Sequence, residues 1–467
     1  LPMTAVLSSL QHKGKRGLNP APLSVRLFFI CLLLQAVSVR AWQSDKAVYS
    51  GSLRTIYDYR VQGDDEDHDG YAYWRVGARN MASGHVDVYT SGRAHDDLDG
   101  SAPSGGGDPF LGLQDTSRRD EIRLLQFYME LHDAKNKMAL RIGRQYADVA
   151  DYIHMDGAQA ILYERGRLGG RLFAGQPVSF YSSTSGDLFA GASLVGRPWK
   201  GNRSRMTYAR YEDDDRAVAD DHCFIDVRQQ VSDAFRARGY LSVMNDDVRM
   251  SGGDVYYTSR GDEVFSVRAG IRRWGTYDAQ TRVYSPLLQT LGGQEPYTTA
   301  YGRFTRELLP WLHLAPGIYI RYPDADNSSN RRYERYNLGL IFRPEDALKA
   351  NIGLEYWDVE DGGRFSGLSG QVEYEHRKLW EIAAGAAYLD YTYYRFSDFS
   401  VSADGGGIVA VEDGTRTEIS PDTFTYFVRG KWNVSRNLAL RLSGEVEDDS
   451  EEADLGYRVR ATVEVRM

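Results

Sequence analysis

Hydrophobic and polar positions alternate along most of this chain, in runs too long and too regular for helices. Near the end, Phe424, Tyr426, Val428, Gly430 and Trp432 share one parity, and Thr425, Phe427, Arg429, Lys431 and Asn433 the other. Leu438, Leu440, Leu442 and Val446 likewise oppose Arg441, Ser443, Glu445 and Glu447. Leu455, Tyr457, Val459, Ala461, Val463 and Val465 oppose Arg458, Arg460, Thr462, Glu464 and Arg466. Successive strand residues point to opposite faces, so each run is a strand with one apolar and one charged side. Strands of soluble sandwiches average about 5 or 6 residues. These runs are about twice that, with Tyr or Trp near an end, which is the length and pattern of a membrane-crossing strand.

The connections sort into two kinds. Short ones are Ala82-Ser83-Gly84, Lys135-Asn136-Lys137, Pro344-Glu345-Asp346, Arg377-Lys378 and Ser435-Arg436-Asn437. Between them fall longer or acidic ones, at 62–70, 96–120, 147–157, 213–221, 276–295, 322–331, 397–421 and 447–454. Alternation of tight turns with long loops is the connectivity of an outer-membrane barrel. The expected fold is therefore all-β, a transmembrane antiparallel up-and-down barrel of about 22 strands, within a range of 18–22. The stretch 165–190 is the hardest to divide.

The first 41 residues do not belong to this pattern. Lys13, Lys15, Arg16 and Arg26 precede the apolar run Leu27 to Leu34, which continues to Val39 and ends at Arg40-Ala41. A basic region, a short apolar region and a small residue at the cut describe a signal peptide over 1–41, leaving 42–467 as the barrel. Formal charge is -9 for the whole chain, and removing the five basic residues of that segment gives -14. A nucleic-acid partner is not expected. Of the two cysteines, Cys31 lies in the signal and Cys223 remains, so no disulfide within the mature chain and no Cys-x-x-Cys-His haem attachment is expected.

Composition fits an exported barrel. There are 32 Tyr, 8 Trp, 47 Gly and only 14 Pro, with mean hydropathy of -0.48. No apolar run reaches the roughly 18 residues of a membrane helix. A smooth barrel of 22 tilted strands would measure roughly 44 Å across, and barrels of that size are normally plugged. The strands begin near Ala47, so no plug domain is expected. Loops 96–120, 276–295 and 397–421, or a separate periplasmic protein, are expected to narrow the bore instead.

The charged faces supply the candidate site. Arg141, Arg228, Arg236, Arg238, Arg268, Arg272, Arg321, Arg335, Arg429, Arg441, Arg458 and Arg460 are assigned to the lumen, with Asp226, Glu355, Glu373, Glu445 and Glu464. Charge facing lipid at mid-membrane would cost about 2–4 kcal/mol each, so these faces are wet. Two roles are open for them: a lattice of paired charges that holds register, and selectivity for anionic solutes. Asp65, Asp67 and Asp69, followed by Gly70, have the spacing of a calcium loop. Val76 stands where the closing glutamate belongs, so the motif reads as an acidic external loop that holds divalent cations loosely. No covalently bound cofactor is expected. Rim groupings such as Asp151, His154 and Asp156, or Asp220, Asp221 and His222, lack a nucleophile motif, and the chain is not read as an enzyme. Cys223, in register with Ile225 and Val227, is expected to face lipid.

Over 42–467 the chain resembles a Gram-negative outer-membrane porin-like barrel. Within it, Leu140-Arg141-Ile142-Gly143-Arg144-Gln145, followed by Asp156-Gly157-Ala158, resembles a segment of the alginate-export porins. That resemblance implies an arginine-lined channel for an anionic polysaccharide. The chain departs from most such barrels in ending on Met467 rather than Phe or Trp. The expected function is an outer-membrane porin-like channel for passive passage of small or anionic solutes, among outer-membrane lipid and lipopolysaccharide. The alternative is a structural barrel sheathing a multihaem cytochrome in an electron conduit.

Overall fold

The computed structural model describes residues 47–467, apart from 64, 99–119, 134, 136, 149–151, 164–166, 179–185, 215–217, 260–263, 276–295, 325–331, 398–399, 405–406, 412–414 and 451–453. The segment 1–41 and most of loops 96–120 and 276–295 lie outside the described residues, as does Asp151.

Each alternating run is a strand paired antiparallel with the next. The first eight are β1 (Val48–Gln62), β2 (Asp65–Asn80), β3 (Val86–Asp97), β4 (Asp120–His132), β5 (Met138–Asp148), β6 (Tyr152–Leu162), β7 (Leu168–Pro177) and β8 (Leu188–Gly196). Next come β9 (Asn202–Asp213), β10 (Val218–Gln230), β11 (Phe235–Met244), β12 (Asp247–Thr258), β13 (Phe265–Trp274), β14 (Tyr297–Leu309), β15 (Leu312–Pro323) and β16 (Tyr333–Glu345). The remainder are β17 (Leu348–Val359), β18 (Arg364–His376), β19 (Trp380–Ser397), β20 (Ser400–Asp404), β21 (Gly407–Val411), β22 (Thr415–Ile419), β23 (Asp422–Asn433), β24 (Leu438–Asp449) and β25 (Gly456–Arg466).

The sheet closes where β25 pairs with β1, from Ser52 opposite Arg466 to Val61 opposite Tyr457. Closure removes the unpaired strand edges that a bilayer would not tolerate. The barrel has 22 strands, the number expected from the alternation. β22 prolongs β23 along the far end of β19, and β20 and β21 form a separate hairpin in the same connection.

Outward positions are apolar: Ile142, Leu172, Leu194, Met206, Ile271, Leu354, Val428, Leu442 and Val459 are all exposed. Tyr322, Tyr336 and Tyr356 lie among them on one flank, and Tyr257, Phe265 and Phe304 form an aromatic row at the opposite end of β12–β14. An apolar band with aromatic flanks is the outside of an outer-membrane barrel. Cys223 shares the outward parity of Ile225 and Val227, as expected.

All turns on the rim holding the start of β1 are short, and this rim is periplasmic by the usual rule. The opposite, external rim carries the connections at 98–119, 275–296 and 398–421. Two details depart from the sequence reading. β11 and β12 are joined on the external rim by Asn245 and Asp246 alone, both left-handed at φ 49° and 70°, so a tight hairpin interrupts the run of longer loops. The strands also run further than their acidic ends suggest. In place of the supposed loop 62–70, β1 runs to Gln62 and Asp65–Asn80 is strand. Acidic residues at strand ends face the lumen or the rim, where charge is cheap, so they do not end the pairing. The difficult stretch 165–190 resolves into β7 and β8.

The lumen is not a smooth wet wall. Ala147, Ile153, Met155, Phe173, Phe189, Ala209, Tyr211 and Met244 lie on the inward parity of β5–β11 and form one buried apolar cluster. Glycines allow neighbouring backbones to approach closely there. Gly143 is at φ 123°, a conformation open to glycine. A side chain at Gly157 would begin 2.2 Å from the Ala174 carbonyl oxygen on β7. Apart from the loops or separate protein expected to narrow the bore, apolar side chains of the wall itself cover the inner face in this sector.

Candidate functional site: the arginine face of the lumen

Strand register decides which side chains share the lumen. Asp58 lies opposite Asp69 on β2 and Arg460 on β25, and these faces carry the charge while Tyr57, Val459 and Val463 are exposed outside. Carried round the barrel by pairing, this parity places all twelve sequence-assigned arginines on the lumen face. Among the arginines that it adds to the sequence reading are Arg54, Arg60, Arg93, Arg123, Arg171, Arg203, Arg205 and Arg303. Arg203 and Arg205 could have been found, because they alternate with Met206 and Tyr208. Arg171 lay in the stretch that resisted division.

Many of these arginines sit in ion pairs. Arg141 meets Glu130 at 2.5 Å, Arg335 meets Glu355 at 2.9 Å, and Arg441 meets Glu464 at 3.1 Å. Arg268 lies 3.7 Å from Asp254. Asp226 serves two partners at once, with Arg228 Nε at 2.9 Å and Arg238 Nε at 2.6 Å. Arg458 and Arg460 converge on Asp58. Others rest on aromatic rings: Arg321 stands 3.9 Å from the Tyr297 ring centre, Arg429 stands 4.5 Å from Phe427, and Arg272 donates to the Tyr240 hydroxyl at 2.9 Å. Ion pairs and ring contacts are both spread round this face. Around β24, β25, β1 and β2 arginines and acids interleave. From β5 to β16 the lumen-facing arginines outnumber the acids.

An aromatic arc accompanies the basic sector near the external rim. Trp274 and Tyr297 lie 6.2 Å apart, Tyr319 and Tyr333 5.6 Å, Tyr333 and Trp357 5.1 Å, and Trp357 and Phe365 5.6 Å. Neighbouring rings one strand apart brace each other. Arg321 and Arg335 stand over members of this arc, so their guanidiniums are held rather than free to sweep the bore.

The acidic motif is placed differently from the expectation. Asp65, Asp67 and Asp69 lie on a strand at two-residue spacing rather than curling round one centre. Asp67 lies 3.9 Å from Arg60. Asp69 is buried, accepts from the Tyr71 hydroxyl at 2.9 Å, lies 2.7 Å from His95 Nε2 and 3.5 Å from Arg60. Among the described residues no cluster of three His, Cys, Asp or Glu is placed to hold a metal ion. Of the rim groupings, the one at 220–222 is divided by the wall. Asp220 faces inward and hydrogen-bonds Asn245, whereas Asp221 faces outward to Arg210. His222 is buried against the Ser242 hydroxyl at 2.7 Å. Asp156 pairs outside the barrel with Arg144 at 2.7 Å, and His154 stacks on Tyr146.

No protein-family model matches the chain, and no curated protein matches it. Among solved structures it is similar to Pseudomonas aeruginosa OpdK with vanillate, at 12% identity and a TM-score of 0.42, covering 91% of this chain and 98% of that one. It is also similar to Pseudomonas aeruginosa OccK3 (OpdO), at 11% identity and a TM-score of 0.41, covering 90% and 95%. A BenF-like porin from Pseudomonas fluorescens Pf-5 is similar at 9% identity and a TM-score of 0.45, covering 90% and 98%.

Proposed function

We propose that the protein is a diffusion channel of the outer membrane, passing small solutes through its lumen with a preference for anions. One observation carries this reading: a closed barrel with an apolar outside presents, from β5 to β16, a lumen face on which arginines outnumber acids. A purely structural barrel has no need of an excess of one sign. A field of one sign in a low-dielectric passage raises the local concentration of the opposite ion. Glu130, Asp226, Asp254 and Glu355 fix individual guanidiniums in place, and the surplus sets the sign of the field.

The test is solute flux into proteoliposomes holding the purified barrel, with neutral, anionic and cationic solutes of matched size. Faster entry of the anion supports the reading. Equal exclusion of all three refutes it.

A further inference from the structure

Two lumen-facing tyrosines lie flat on the wall between β11 and β14, each over a glycine of the neighbouring strand. Register sets Tyr240 of β11 opposite Gly252 of β12, and Gly252 opposite Arg272 of β13. It sets Tyr301 of β14 opposite Gly270 of β13, and Gly270 opposite Asp254 of β12. A Cβ on Gly252 would begin 2.5 Å from the Tyr240 hydroxyl oxygen, and one on Gly270 would begin 2.6 Å from that of Tyr301. Each ring therefore uses the space that a side chain would fill, and crosses it to a charged residue on the third strand. The Tyr240 hydroxyl accepts from Arg272 Nε at 2.9 Å. The point above Gly270 that meets Tyr301 also lies 2.9 Å from the Asp254 Cβ, so the Tyr301 ring ends beside that residue. Guanidiniums stand over both rings: Arg238 is 5.0 Å from the Tyr240 ring centre, and Arg268 is 5.5 Å from that of Tyr301. Arg268 stops 3.7 Å from Asp254, beyond hydrogen-bond reach.

We infer that Tyr240 and Tyr301 are positioning residues of the channel, whose rings hold Arg238, Arg268 and Arg272 toward the bore and so set its preference for anions. This deepens the channel reading and rests on it. An arginine side chain has much rotamer freedom to lose, and an attractive ring face narrows it to one direction. Without the Tyr301 ring, Arg268 is free to close on Asp254 as a direct ion pair, which cancels its field in the bore. Without the Tyr240 hydroxyl, Arg272 loses the acceptor that fixes it. Gly252 and Gly270 belong to the device, because a side chain at either would lift the ring from the wall. A ring that only braces the sheet affects stability and leaves selectivity alone, which separates the two roles.

The test is the reversal potential of the full barrel in a planar bilayer under a potassium chloride gradient, which gives the chloride-to-potassium permeability ratio. Tyr301→Leu, which keeps apolar bulk without a ring, should lower that ratio at least about twofold. Tyr301→Phe, which keeps the ring, should preserve it. Tyr240→Phe keeps its ring but loses the acceptor for Arg272, and should lower the ratio. Tyr426→Ala, on the lipid face, should leave it unchanged. Heat-shifted gel mobility confirms that each variant is folded, and the contrast between Tyr240→Phe and Tyr301→Phe, each the loss of one hydroxyl, serves if Tyr301→Leu does not fold. A wild-type ratio in both Tyr301→Leu and Tyr240→Phe overturns the proposal and leaves the channel reading intact. So does a loss in Tyr301→Phe as large as that in Tyr301→Leu. A wild-type barrel that passes no current, or shows no anion preference, refutes the channel reading and the proposal with it.

Discussion

Asp58 and Arg458, 400 residues apart in sequence, form a two-pronged ion pair across the seam that closes the barrel, with Arg458 Nε and Nη2 at 3.0 and 2.7 Å from the two carboxylate oxygens. Arg460 adds a contact of 2.5 Å and Arg60 one of 3.5 Å. The Asp58 carboxylate is fully enclosed, with side-chain exposure of 0%. The first and last strands are thus joined by their backbone ladder and by one carboxylate shared among three guanidiniums. Removing one partner of a buried pair costs roughly 3–5 kcal/mol, because the charges left behind are unbalanced. Asp58→Asn should lower the unfolding free energy of the barrel in vesicles by that order, read as a lower urea midpoint. An unchanged midpoint would show that the ladder alone holds the seam.

The apolar cluster inside β5–β11 makes an unusual contrast with the outside. Phe189 is 1% exposed on the inward parity, and Leu172 is 62% exposed on the outward. Phe189→Ala opens a cavity in a packed region and should cost about 3–5 kcal/mol. Leu172→Ala exchanges one lipid-facing apolar group for a smaller one and should cost under about 1 kcal/mol. Parallel unfolding titrations decide. Equal losses would mean that the inner cluster is not packed as a core.

Gly157 tests the close approach of β6 to β7. Its ideal Cβ would lie 2.2 Å from the Ala174 oxygen and 2.5 Å from the Gly175 Cα, and backbone cannot step aside as a side chain would. Gly157→Val should destabilise by about 3 kcal/mol or more, or prevent folding altogether. Heat-shifted gel mobility after refolding reads this, and normal refolding would contradict the close approach.

Much of this was legible in the chain. The parity of Phe424–Trp432 or Leu455–Val465 sets lumen against lipid with no further information, because strand period is two whatever the tertiary context. Strand number followed from the alternating connections. The inner apolar cluster was not legible, since Phe173 and Phe189 share their segments with Leu172, Leu188 and Leu194, and runs apolar on both faces hide the period. Arg171 was missed for the same reason. The Asp65–Asp69 motif misled because two-residue spacing is common to a calcium loop and to one face of a strand. Its role as strand emerges only from partners: Arg60 on β1 and His95 on β3. Asp58 could not be singled out, because its value lies in meeting residues from the other end of the chain.

Ion selectivity should respond unevenly to substitution. Arg272 and Arg321 belong to the sector where arginines are in excess, and their side chains rest on Tyr240 and Tyr297. Arg272→Glu with Arg321→Glu should move the reversal potential toward cations in a salt gradient. Arg441 is paired with Glu464 on the mixed sector, so Arg441→Glu alone should move it less. Identical shifts at the two places would remove the distinction between sectors.

The most direct test of the channel is the single-channel conductance of the purified barrel, alone, in a planar bilayer under a salt gradient. The account predicts a steady conductance with anion preference, set by the barrel's own wall. A folded barrel that stays closed, one that favours cations, or a very large and noisy current from an unfilled bore would contradict it.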